Sequence, residues 1–112
     1  MPIQPWSDRI WLVTLSNEPA LSEDLIAARD RALRADPCPD VVLDFSAVTM
    51  VTSSNLSQLL RLRKVAVDSD TRLKLAALPN GVWATFLTTG LDKLFEFAED
   101  VPTALAALQM GA

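Results

Sequence analysis

Hydrophobic and polar positions alternate along the chain in two rhythms, one extended and one helical. Ile10-Trp11-Leu12-Val13-Thr14-Leu15 is a β-rich apolar run bounded by polar residues and predicts a strand. Ser22 stands where it can cap a helix carrying Leu25, Ile26, Ala28, Arg29 and Leu33, and Asp36-Pro37-Cys38-Pro39 stops that helix. Val41 to Phe45 is apolar on both faces up to Asp44, the pattern of a central strand covered on both sides. A polar crossing follows, and then a helix from about Ser53 to Val67. Leu73-Lys74-Leu75-Ala76-Ala77-Leu78 predicts another strand. Pro79-Asn80 opens a short helix through Trp83, Phe86 and Leu87, with Gly90 as its stop. Leu94-Phe95-Glu96-Phe97 gives a last strand, and Asp100 caps a final helix with Pro102 in its first turn and Leu105 and Leu108 facing inward. Strands alternating with helices predict an α/β layer with a mostly parallel sheet.

Composition narrows what such a layer can do. At 112 residues, half of them hydrophobic, the chain predicts one domain over 1–112 with its core between 10 and 108. The lone Cys38 has no internal disulfide partner, which suits a reducing compartment, and the first residues show no leader pattern. No apolar run approaches the length of a bilayer span, so a cytoplasmic location without membrane insertion is expected. A formal charge of −4 argues against nucleic acid as partner. Arg61, Arg63, Lys64, Arg72 and Lys74 nevertheless cluster in mid-chain, where they can help a protein partner dock.

Catalytic equipment is scarce. Without histidine there is no Ser-His or Cys-His pair and no zinc set, and the three glycines form no phosphate loop. Lys64 lies about 15 Å along the helix from Ser54, too far to act as its base. No enzyme activity, cofactor or metal is expected. Asp44, at the end of the central strand, is expected to hold the crossing loop through backbone N–H groups. Trp6, Trp11 and Trp83 are expected to fill the core or cover an edge, Trp6 being exposed.

Three segments together resemble the STAS domain, the family of the anti-sigma-factor antagonists. Val42-Leu43-Asp44-Phe45-Ser46-Ala47-Val48 is similar to the family's strand ending in D-[LF]-S-x-V. Ser53-Ser54-Asn55-Leu56 is similar to its D-S-S-G-L helix start, and Thr89-Gly90-Leu91-Asp92-Lys93-Leu94-Phe95 to its T-G-L-x-x-[LI]-F turn. The resemblance runs from about Ile10 to Leu108. It implies a mostly parallel sheet of about four or five strands with about four helices. It also implies a protein partner, an anti-sigma factor that is a serine kinase and phosphorylates the second serine of the pair, here Ser54. The dephosphorylated domain would bind that kinase and free the sigma factor.

Helix geometry bears on the same choice. At about 100° per residue, Leu56, Leu59, Leu60 and Val67 gather on one side and Ser54, Gln58, Arg61 and Val65 on the other. Ser53 is then the capping serine, and Ser54 the one that faces solvent. The expected contact surface is Ser54, Gln58, Arg61 and Val65 with Leu62 alongside, rimmed by Asn55 and Asn17.

Four positions depart from the family pattern. Thr52 and Ala20 stand where it has acids, and Asn17 and Asn55 where it has glycines. Asparagine tolerates positive φ, so the glycine backbone is expected to be kept while bulk is added. Losing the acids removes repulsion against a phosphate, and also removes groups that a basic partner could grip. Beside the phospho-switch stand two alternatives. One is a scaffold or adaptor, in a sensory complex or as a transporter subunit, that has lost the switch. The other is a sensor with a small ligand in the groove beside Ser54.

Overall fold

The computed structural model describes residues 3–111. Five strands form one sheet: β1 (Ile3–Pro5), β2 (Ile10–Thr14), β3 (Asp40–Asp44), β4 (Leu73–Ala76) and β5 (Glu96–Ala98), in spatial order β1-β2-β3-β4-β5. β1 is antiparallel to β2, and every other neighbouring pair is parallel. The helices are α1 (Ala20–Arg34), α2 (Ser53–Asp68), α3 (Asn80–Thr89) and α4 (Val101–Gln109), with a 3-10 turn at Leu91–Lys93. The mostly parallel α/β layer expected from the pattern is the observed architecture.

The central strand explains why both faces are covered. Val41 and Leu43 point into one apolar cluster with Leu25 and Ala28 of α1, Leu59 and Leu62 of α2, and Phe86 of α3. Val42 points the other way, to Ala104, Leu105 and Leu108 of α4. Three helices therefore share one face, and α4 alone packs on the other. Full burial of a side chain such as Phe45 or Leu43 contributes about 1.5–3 kcal/mol.

Helix ends follow their capping chemistry. Asp100 accepts the Thr103 N–H at 2.8 Å and starts α4. Gly90 ends α3 in the left-handed conformation, φ +75°, which a side chain would strain. Asp44 accepts the Ser46 N–H at 2.9 Å and holds the chain as it leaves β3.

Several elements differ from the sequence reading. β1 is too short and too proline-rich to show as a strand, but Pro5 costs little on an edge strand, where a missing N–H is tolerated. β5 starts two residues later than the apolar run, because Leu94 closes the 3-10 turn and is exposed. Ser22 does not cap α1, which begins two residues earlier, and its N–H and hydroxyl bind the Glu18 carboxylate instead. Ile26 and Leu33 face solvent; the stripe that α1 buries is Leu21, Leu25, Ala28 and Ala32.

Most of the basic cluster is engaged by groups of the chain itself. Arg72 and Lys74 both pair with Glu96 of the neighbouring strand, Lys64 with Asp68 at 3.0 Å, and Arg63 donates to the Leu94 carbonyl at 2.8 Å. Arg72, followed by Lys74, holds the Glu96 carboxyl below its ordinary value. Among the described residues Arg61 and Arg63 make no ion pair, and Arg61, exposed and without a side-chain hydrogen bond, is the member of the five most open to a partner.

Candidate functional site

Two loops leave the C-terminal ends of β2 and β3 side by side, the position where open α/β sheets place function. Asn17 in the first loop clips them together. Its Oδ1 accepts the Thr49 N–H at 2.9 Å, and its Nδ2 donates to the Thr49 hydroxyl at 3.0 Å. The second loop then enters α2 through a reciprocal capping box. Thr52 Oγ1 accepts the Asn55 N–H at 3.2 Å, and Asn55 Oδ1 accepts the Thr52 N–H at 2.9 Å.

Asn55 is also the hub that joins α2 to α1. Fully buried, it directs Nδ2 at Ser22 Oγ (3.2 Å), Gln58 Oε1 (3.3 Å) and Glu18 Oε2 (3.4 Å). Glu18 in turn accepts the Ser22 hydroxyl at 2.5 Å and the Ser22 N–H at 2.6 Å. These Ser22 bonds, and then the Asn55 amide, hold the Glu18 carboxyl below its ordinary value of 4.5 against a desolvation effect that raises it. A buried amide with every polar atom partnered is an all-or-nothing arrangement: removing it strands several groups at once.

This geometry separates the predicted site residues. Ser54 is exposed in the first turn of α2, and Asn17 and Arg61 are exposed as well. Gln58 is half-buried, with its carbonyl engaged by Asn55. Asn55, Leu62 and Val65, expected at the surface, are buried at 0%, 2% and 5% exposure. The physical reason is that α2 packs against α1 as well as against the sheet, which turns its buried sector toward Asn55, Leu59 and Leu62. Leu62 and Val65 turn toward Ala32 of α1 and Leu73 of β4. Val67, assigned to the apolar side by helical geometry, is 60% exposed for the same reason. Ser53 does not cap the helix, since Thr52 does, and both serines are exposed.

The asparagines also act differently from expectation. Among the described residues the non-glycine positions with positive φ are Asp70 and Ala77, so neither Asn17 nor Asn55 preserves a glycine-like backbone. Each works through its side-chain amide.

Three further residues belong to the site. Glu18 and Ser22 are reached through Asn55, and Met50 stands 69% exposed in the crossing loop. With Asn17, Glu18, Thr49 and Thr52, Met50 lines a groove of about 300 Å³. The signal for Met50 was present in the sequence as a large apolar residue within a polar crossing. For Glu18 the signal was its match to the glutamate of the family's S-G-E-[IL]-D loop, which Ser16-Asn17-Glu18-Pro19-Ala20 resembles.

The family model described as Mlab, STAS domain matches residues 13–96, which include both loops and all of α2. The chain belongs to the STAS domain family. No curated protein matches it in sequence. Among solved structures, a Thermotoga maritima protein proposed as an anti-sigma factor antagonist superposes with a TM-score of 0.81 at 16% identity, over 96% of this chain and 93% of that one. RsbS of Moorella thermoacetica, in a serine-to-glutamate variant, gives 0.77 at 21% identity over 97% and 96%. A sulfate transporter family protein from Wolinella succinogenes gives 0.74 at 12% identity over 96% of each chain. At these identities the likeness establishes the STAS fold. Among the described residues, no helix of this STAS domain is long and apolar enough to cross a membrane.

Proposed function

We propose that this STAS domain is a regulatory protein-binding module of the anti-sigma-factor antagonist type. Its partner is an anti-sigma factor that is also a serine kinase, and phosphorylation of Ser54 switches the partnership off. The module works by binding rather than by turnover, and a cytoplasmic setting suits its unpaired Cys38. The observation that carries this reading is an exposed Ser54 in the first turn of a helix whose start is fixed from beneath by Asn55.

The physical consequences are direct. Phosphate adds about −1.5 to −2 charges at neutral pH. At a helix N-terminus that charge is favourable for the helix itself, so the module stays folded. Thr52 and Asn55, the neutral residues flanking the serine pair, do not repel it. The cost falls on the partner, which must desolvate or repel a dianion in the middle of the contact. The contact surface is Ser54 with Asn17, Gln58 and Arg61, flanked by Met50. Asn55 supports it from below, and Leu62 and Val65 lie outside it.

A second reading is favoured by the two departures from acid. With Thr52 and Ala20 in place of acids, the site keeps the Glu18 carboxylate but lacks two further charges that a basic kinase surface could grip, and a transporter family protein shares the fold. In that reading the module is a scaffold in a sensory or transport assembly and Ser54 is silent.

Affinity capture from native lysate with wild-type, Ser54→Ala and Ser54→Glu baits separates the two. A small ATP-binding kinase retained by the first two and lost with Ser54→Glu is the expected result. One partner held equally by all three baits overturns the switch and leaves the scaffold.

A further inference from the structure

The helices that follow β2, β3 and β4 pack on one face of the sheet, whereas α4, which follows β5, packs on the other. Where neighbouring parallel strands send the chain to opposite faces, their connections diverge and leave a crevice at the strand ends. β4 and β5 make that divergence here. Residues 77–79 lead to α3, and residues 99–100 lead to α4. A cleft of about 330 Å³ lies at this point, lined by Leu78, Asn80, Trp83, Phe97, Ala98 and Glu99. Ala77, at its edge in the chain, holds a left-handed φ of +60° that alanine rarely adopts, and its N–H donates to the Ala98 carbonyl at 3.2 Å. The two strand ends are thus fastened where they part.

The chemistry of the lining selects a ligand. Trp83 and Phe97 meet edge to face, 81° between planes with centroids 4.8 Å apart, and both rings line one corner of the cleft. Aromatic faces attract cations. The ionisable group on the wall is the Glu99 carboxylate, and the lining holds no lysine or arginine. Asp100, the next acid, is occupied in capping α4. The start of α3 at Asn80 contributes about half a positive charge at most, less than the full negative charge of Glu99. An anion would therefore meet net repulsion, and a neutral apolar molecule would leave the carboxylate unused. The volume is at the lower end of small-molecule pockets.

We propose that the β4–β5 cleft binds a small organic cation with an apolar body, of the alkylated ammonium class, between Trp83, Phe97 and Glu99. The site is separate from Ser54, and its occupancy does not depend on any phospho-switch.

Choline titrated into the purified protein, followed by amide and indole NMR shifts, tests this. The Trp83 indole signal is assigned by its absence in Trp83→Phe. The expected result is saturable shifts centred on Trp83, Phe97 and Glu99. Glu99→Gln, an exposed position that leaves the fold intact, should weaken binding about fivefold, and the uncharged isostere 3,3-dimethylbutan-1-ol should bind at least about tenfold more weakly. Absence of titrating shifts up to about 50 mM choline overturns the proposal. So does an isostere that binds as tightly as choline, or a Glu99→Gln protein that binds unchanged.

Discussion

The C-terminal edge of the sheet is built in two different ways. Over β2 and β3 it is closed by amides, hydroxyls and one carboxylate, gathered around Asn55 and Asn17. Over β4 and β5 it is closed by rings: Trp83 packs edge to face on Phe97, and Phe97 on Phe86, while Phe95 extends the row toward the N-terminal end of β5. Hydrogen-bonded closure is directional and fails as a unit, so a change in charge there is felt by every member. Ring packing has angular preferences but no one-to-one matching of donors and acceptors, and it tolerates a shallow cleft at its margin. The polar end is the one suited to a switch, and the aromatic end to a pocket.

The contrast can be broken most forcefully at the aromatic end. Phe86, fully buried with Phe97 5.4 Å away between centroids, should cost about 3–5 kcal/mol on replacement by alanine. Denaturant unfolding measures this, and a loss below about 1 kcal/mol would mean that packing does not hold that end.

At the polar end, Asn55→Ala should cost about 2–3 kcal/mol, because Thr52 N–H and the oxygens of Glu18 and Gln58 lose one shared partner. Thr52→Ala removes the cap alone and should cost about 1 kcal/mol. If the end fails as a unit, the double variant Thr52→Ala/Asn55→Ala falls short of the sum of the two single costs. Strict additivity would show independent bonds instead of a hub.

The smallest expected effect is one of pH. The Glu18 carboxyl lies below its ordinary value of 4.5 in the folded protein, chiefly through Ser22. A depressed carboxyl stabilises the fold when ionised, so its contribution is present above that range and is lost as pH falls through the folded value. The difference in melting temperature between wild type and Glu18→Gln should therefore shrink as pH falls below 4.5. A gap that stays constant would place the stabilisation elsewhere.

Much of the layer was legible in the sequence, because apolar runs and caps are local signals. Val41 to Phe45, the α2 segment and the Asp100 cap all lie where the pattern puts them. The face that α2 presents was not legible. A helical projection assumes one buried side, and α2 has two neighbours, so Leu62 and Val65 go inside and Val67 goes out. Nor could the work of Asn55 be read locally, since its partners Ser22 and Glu18 lie 33 and 37 positions away. The residue type suggested backbone tolerance, and only the tertiary arrangement reveals a buried amide in use. Ser54 was singled out by the resemblance and the pattern together; it is exposed, as is Ser53, and Thr52 takes the cap.

The most direct test is to incubate the purified protein with its captured partner and ATP, map the phosphate by mass spectrometry, and measure partner affinity before and after. Phosphate on Ser54, with affinity falling at least about tenfold, is the expected outcome, since like charge in a contact costs more than 1 kcal/mol. Phosphate confined to Thr52 or Ser53, none at all, or full modification of Ser54 with unchanged affinity would contradict a partner switch at this helix start.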